Sequence, residues 1–119
     1  MSQLISLQQA IAMTTRYRKE KENILGPSFK DKNHLVKAET FDRAHFDAVL
    51  SEPGCVSIRI YYGMDEGFNI HAIIVGVNDK NEDILPSDTQ LADNGGRIIE
   101  EGTRCPPTCD PSSPLNGGG

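Results

Sequence analysis

Two neighbouring stretches of this chain carry the two-residue period of a β-strand, and they constrain the fold more than any other feature. In residues 55–62 (CVSIRIYY) the side chains alternate between an apolar and a more polar face. The apolar face is formed by Val56, Ile58, Ile60 and Tyr62. Residues 68–77 (FNIHAIIVGV) are apolar on both faces from Ile73 on, which is typical of a central strand. Together with the glycine-bracketed turn 63–67, they predict a β-hairpin over 55–77 with the Val56 face toward the core.

A helix is predicted before the hairpin, over residues 7–22. Ser6 and Gln9 have the spacing of a capping box, in which each side chain accepts a hydrogen bond from the other residue's backbone amide. The apolar stripe of this helix is formed by Leu7, Ala10, Ile11, Thr14 and Tyr17. Beyond Arg16 the sequence is charged nearly all round, so we expect the helix to leave the core there and project into water.

A second helix is predicted over about residues 42–51, capped by Thr40 or Asp42. With Asp42 as the cap, Phe41 and Phe46 occupy the two positions of a hydrophobic staple. No helix-length segment links the two predicted strands, which argues against a parallel sheet. The order of elements therefore predicts an α+β fold: a small antiparallel sheet built on the hairpin, with two helices packed on one face.

The rest of the chain is expected to form short strands, a loop and a tail. The strands are predicted near residues 84–85 and 97–101, and the loop over 87–96. From Cys105 on, nine of fifteen residues are Pro, Gly or Ser, which leaves little apolar surface to offset the entropy of ordering unless something holds the segment. The chain is predicted to be one domain, 1–104, followed by a Pro/Gly-rich tail, 105–119.

Charge is unevenly distributed along the chain, whose formal net charge is −5. Residues 16–37 hold seven basic and three acidic residues, whereas residues 38–119 hold five basic and fourteen acidic ones. A basic segment on an acidic body favours a protein partner or a second copy of the chain, although a solvated helix end explains it equally. The acidic total disfavours nucleic acid. No apolar run approaches the roughly 18 residues that cross a membrane.

The three cysteines offer several chemistries. Cys105 and Cys109 could bind zinc together with Cys55, with His71 or His34 as a fourth ligand. The same pair could instead form a disulfide, act as a redox couple, or remain two free thiols. The odd, low cysteine count and the lack of a basic N-terminal start favour a reducing cytoplasm.

A polar cluster on the hairpin is the candidate enzymatic site. Cys55, Arg59 and Tyr61 could share the face of His71, and a histidine general base would need a carboxylate or a nucleophile within reach. Asp65 and Glu66 both lie in the turn, near the end of the hairpin, which gives them a weaker claim to this role. The chain lacks the sequence motifs of nucleotide hydrolysis, dinucleotide binding, zinc proteases and α/β-hydrolases. These absences argue against an enzyme.

The stretches YYGMDEG, HAIIVGVN and RIIEEGTRCPPTC resemble segments of a family of small bacterial proteins of unassigned function. The resemblance covers about residues 40–110. It implies a bacterial cytosolic protein, and it implies no activity, cofactor or catalytic residue.

The expected function is therefore non-enzymatic: a small cytoplasmic protein that acts by self-association or by binding another protein. An exposed strand edge or the docked Pro-rich tail would supply the contact. The alternative is a thiol-dependent metal-binding or redox protein that uses the C-terminal cysteine pair. No cofactor is expected, apart from zinc under that alternative.

Overall fold

A computed structural model describes residues 3–86, 98–100 and 102–117. The helices are α1 (Leu7–Glu20), α2 (Arg43–Leu50) and a short 3-10 helix (Pro27–Phe29). The strands are β1 (Ala38–Thr40), β2 (Ser57–Met64), β3 (Ile70–Val77), β4 (Asp83–Ile84), β5 (Ile98–Ile99) and β6 (Thr103–Cys105). Two helices and a small antiparallel sheet confirm the α+β class. The predicted loop over 87–96 lies outside the described residues.

The chain groups into two compact units, Met1–Glu39 with Arg104–Gly119, and Thr40–Thr103. The C-terminal segment therefore belongs to the same unit as α1. The division into a domain of 1–104 and a tail of 105–119 stays a prediction. Among the described residues, β1 and β6 form a two-stranded sheet, and β2 to β5 form a four-stranded one.

The predicted hairpin is confirmed. β2 and β3 pair antiparallel from Ser57–Val77 to Met64–Ile70, so the strand continues two residues further than the sequence indicated. Asp65 and Asn69 close the turn: the Asp65 amide donates to the Asn69 carbonyl at 3.0 Å. The Phe68 amide donates back to the Asp65 carbonyl, and Phe68 has a φ of 68°, as in a three-residue hairpin loop that ends in a left-handed residue.

The core of the second unit lies between α2 and the β3–β5 side of the sheet. Val49 of α2 forms a buried cluster with Ile74 and Ile99, which are paired across β3 and β5. Phe41 and Phe46 pack against this cluster with ring centroids 6.0 Å apart, which confirms the predicted staple.

The apolar face of β2 was predicted to be buried, and this was wrong. The exposed fractions are 66% for Val56, 37% for Ile58, 50% for Ile60 and 80% for Tyr62. The reason is the position of α2, which approaches the sheet at β3: a Cβ on Gly76 would lie 3.4 Å from Val49 Cγ1. Ile74, directly opposite Ile60, is only 2% exposed. β2 is the strand beyond β3 and stays outside the cover of α2.

In the first unit, α1 begins at Ser6 with the predicted capping box, both of whose hydrogen bonds are present. Its apolar stripe is only partly covered, because no residue of α1 is fully buried. The expectation that the basic end projects into water was wrong for Lys21, which is 8% exposed. Its ammonium group lies 2.7 Å from the Glu22 carboxylate, and this ion pair allows the charge to be buried.

Candidate functional site

The exposed apolar face of β2 is the most unusual surface of the second unit. By its register with β3, four side chains of the strand point to the same face as α2. This β2 row consists of Ile58, Ile60, Tyr62 and Met64, all exposed. Val56, just before the strand, is exposed as well. A contiguous apolar surface of this kind is typical of an interaction site rather than of scattered surface residues.

The row coincides with an unpaired strand edge. In the described part of the chain, β2 pairs with β3 and with no other strand. Because Asp65 is hydrogen-bonded to Asn69 at the turn, the alternation of an antiparallel ladder directs the odd-numbered residues of β2 toward β3. The backbone N–H and C=O groups of residues 58, 60, 62 and 64 therefore point outward. The residues that carry the apolar row also carry the free hydrogen-bonding groups.

The strand also lacks the usual protection of an edge. Natural edge strands carry lysines, prolines or inward-pointing charges that discourage further pairing. Residues 57–64 (SIRIYYGM) contain one charged side chain, Arg59, and no proline. The Arg59 guanidinium is bound 2.5 Å from Asp83 and 2.5 Å from Asn81, on the opposite face from the row.

On that opposite face, the Asp83 carboxylate binds two polar side chains of β2. It accepts a hydrogen bond from the Tyr61 hydroxyl as well as from Arg59. These two bonds, the Tyr61 one first, lower the pKa of the Asp83 carboxyl. In return, the bond to Asp83 raises the pKa of Arg59. These hydrogen bonds connect β4 and the loop before it to β2, and the Asp83 carboxylate compensates the charge of Arg59.

His71 lies between two carboxylates. Its Nε2 is 2.8 Å from Asp65 Oδ2, and its Nδ1 is 3.3 Å from Glu100 Oε1. Because a carboxylate only accepts, the Asp65 oxygen accepts the hydrogen bond that Nε2 of the ring donates. Hydrogen bonds from the Asn69 amide and from His71 hold the pKa of Asp65 well below its usual range.

A shallow cleft of about 240 Å³ adjoins this histidine. Its described lining consists of Gly63, Met64, Asp65, His71, Ile73 and Glu100. None of these is a serine, threonine, cysteine or lysine, so this lining offers no nucleophile for a histidine base to activate. The hydrogen bonds of Asp65 and His71 stabilise the hairpin turn.

The predicted polar cluster is divided in the structure. Arg59 and Tyr61 bind Asp83, whereas His71 binds Asp65 and Glu100. Cys55 lies on the other face, because its sulfur is 3.0 Å from where a Cβ on Gly76 would be, beside α2. An irregularity at the start of β2 explains this: Val77 pairs with Ser57 but accepts a hydrogen bond from Val56. This extra residue changes the alternation on which the prediction depended.

Sequence reasoning gave Asp65 little weight as a partner of His71 and missed Glu100 and Asp83. Gly63 is directly opposite His71 in the hairpin. Asp65 comes two residues after Gly63, so its side chain points to the same face of the sheet as that of His71. A glycine opposite a histidine leaves room for the next side chain along the strand, and this signal was available. Asp83 and Glu100 are distant in sequence, and no local pattern identifies them.

The cysteines that were candidate metal ligands lie in both units. Cys105 and Cys109 form a disulfide with Cα atoms 4.9 Å apart. Cys55 is a free thiol in the second unit, which also contains His71. Within the described ranges, no group of three or more His, Cys, Asp or Glu side chains could hold a metal ion. The zinc site at Cys105, Cys109, Cys55 and His71 stays a prediction that requires reduction of the disulfide.

No family model, curated protein or solved structure matches this chain. Of the helices that the structure describes, none has the length and apolar character needed to span a bilayer.

Proposed function

We propose that this protein is a non-enzymatic binding protein that accepts an extended protein segment along the outer edge of β2. The observation that carries the proposal is the coincidence of the exposed β2 row with the outward backbone groups of the same four residues. In strand addition, such backbone groups supply affinity and the alternate side chains supply specificity.

The energies involved fit a reversible interaction. The four side chains of the row are 37–80% exposed, and covering them would contribute at most on the order of 4 kcal/mol. The new backbone hydrogen bonds would each add about 1 kcal/mol. Association itself costs from about 4 to 15 kcal/mol, which is comparable to the sum of these contributions, so we expect a reversible interaction rather than an obligate complex.

Photo-cross-linking in cells tests this proposal. A benzophenone amino acid at Tyr62, which is 80% exposed, should give one discrete adduct, and Ile60→Lys in the same chain should abolish it. The matched control carries the benzophenone at Leu85, which is 55% exposed in the same unit but outside the row. Equal labelling from both positions, or none from Tyr62, would overturn the proposal.

The disulfide favours a second candidate function, in thiol exchange. Cys105 is 3% exposed, so an external dithiol would attack the more accessible sulfur of Cys109. The first thiolate would form a mixed disulfide with Cys109 and release Cys105 as a thiolate; the second thiol would then close the external disulfide and leave both cysteines reduced. Thiol titration after equilibration with dithiothreitol buffers measures this exchange, and a pair that stays oxidised throughout would remove the candidate.

A cytoplasmic location belongs to the proposal as well. Its support is the low cysteine count, whereas a stable disulfide is more typical of oxidising compartments. Alkylation of intact cells before lysis reports the state of Cys105 and Cys109. Two alkylated thiols are expected in the cytoplasm, and a fully protected pair would contradict that location.

A further inference from the structure

We propose that the segment accepted by β2 is the β2 strand of a second copy of this chain, paired antiparallel about a two-fold axis at Tyr61. This inference rests on the proposed function and names its partner. It commits to one register, in which each residue i of one strand faces residue 122 − i of the other.

The register follows from the outward backbone groups. These belong to residues 58, 60, 62 and 64, and a second copy presents the same set. A two-fold arrangement pairs all four of them only when its axis passes through residue 61, their midpoint. Residue 58 then faces 64, and residue 60 faces 62. Each such pair exchanges two hydrogen bonds, about eight in all.

The side chains of the row fit this register. Ile58 meets Met64 of the second copy, and Ile60 meets Tyr62, so every exposed apolar side chain of the row gains an apolar neighbour. A β-branched residue opposite an aromatic one is among the favourable cross-strand pairs. The two rows would form one continuous apolar surface on the face that carries α2.

Charge on the opposite face fits as well. Arg59 is the one charged residue of β2, and in this register it faces Gly63 of the second copy, which has no side chain. An axis at Arg59 would instead place two guanidinium groups directly against each other, which is unfavourable. Because Asp83 already neutralises Arg59, bringing two copies together adds little repulsion.

Cysteine cross-linking tests the register in the full-length chain. In a Cys55→Ser background that keeps the native disulfide, Ile58→Cys and Met64→Cys chains are prepared separately and then mixed. Facing residues of a hydrogen-bonded pair have Cα atoms about 5.5 Å apart, which suits a disulfide. The mixture should form a covalent dimer of twice 13.1 kDa, whereas each variant alone should not, because six residues along a strand separate like positions by about 20 Å.

Sedimentation measures the association itself. The unmodified chain should form a dimer, and Ile60→Lys should raise its dissociation constant at least tenfold, whereas Leu85→Lys should not. A dimer that cross-links equally well in the single variants would overturn the register. A monomer at every concentration, with a Tyr62 photo-adduct of a mass other than twice the chain, would overturn this inference but leave the proposed function standing. A monomer without any adduct would overturn both.

Discussion

The Asp65 carboxylate accepts hydrogen bonds both from His71 and from the backbone of the hairpin turn. Its Oδ2 lies 2.8 Å from Nε2 of His71, which is six residues away across the hairpin. Its other oxygen, Oδ1, accepts from the backbone amides of Gly67 and Asn69 at 2.8 and 3.0 Å. One carboxylate therefore fixes both the shape of the turn and the start of β3, which determines the register of the strand that carries the β2 row.

Asp65 should make the stability of the fold depend on pH. Its pKa is lowered in the folded chain, so the unfolded chain takes up the proton first as the pH falls. Its contribution to the free energy of unfolding is thus complete above the ordinary aspartate pKa of about 4 and is lost progressively below it. Asp65→Asn should lower the melting temperature at neutral pH and flatten its decrease under acid. Calorimetry between about pH 6 and pH 3 measures both.

Asp79→Asn is the matched control for that measurement, because Asp79 is an exposed residue of the next turn and lies outside the hydrogen bonds that Asp65 makes. The control should retain the acid dependence of the unmodified protein. Equal flattening in the two variants would mean that the effect comes from the loss of net charge rather than from the bonds of Asp65.

A side chain at Gly63 should force Ile73 to move and should cost stability while Ile73 is present. A Cβ at this position would lie 2.6 Å from Ile73 Cδ1, closer than real contacts allow. We expect Gly63→Ala to destabilise the fold by about 1 kcal/mol, and Ile73→Val, which removes that methyl group, to offset part of the loss. A double-mutant cycle in urea measures the coupling. Additive effects would show that the close approach has no energetic consequence.

The sequence predicts local structure well in this chain and burial poorly. The Ser6 capping box, the Phe41–Phe46 staple and the hairpin all depend on short-range geometry, and each is present. The row containing Ile60 has the same period-2 pattern as a buried strand. Periodicity shows which side chains share a face, but it does not show whether a helix covers that face.

The candidate site illustrates the same limit. Arg59 and His71 could be identified from the sequence as polar residues on one face of a strand. Their partners Asp83, in β4, and Glu100, just after β5, are brought near them only by the packing of the sheet. No spacing rule connects residues so far apart, so those ion pairs become visible only in three dimensions.

Val49 and Leu50 are adjacent on α2 but should respond very differently to truncation. Val49 is 1% exposed within the cluster with Ile74 and Ile99, whereas Leu50 is 50% exposed. Val49→Ala should lower the free energy of unfolding by about 2 kcal/mol, because it removes buried methyl groups and leaves a cavity. Leu50→Ala should change it by less than about 0.5 kcal/mol. Comparable losses would place the core of this unit elsewhere.

Reduction of the disulfide should loosen the C-terminal segment. Besides the Cys105–Cys109 bond, three hydrogen bonds contact that segment. Arg18 Nη1 donates to the Leu115 carbonyl at 2.6 Å, Lys37 Nζ donates to the Asn116 carbonyl at 3.4 Å, and the Asn116 side-chain amide donates to the Asp110 carbonyl within the segment. A five-residue loop constrains the unfolded chain only modestly, so we expect the loss to be about 2 kcal/mol. Amide exchange of residues 108–117 should accelerate in a reducing agent, while that of β3 should not change.

Cys55→Ser is the control for this measurement. It should respond to the reductant as the unmodified chain does, because the Cys55 thiol takes no part in the disulfide. If the segment stayed equally protected after reduction, contacts other than the disulfide, such as those of Arg18 and Lys37, would be sufficient to hold it.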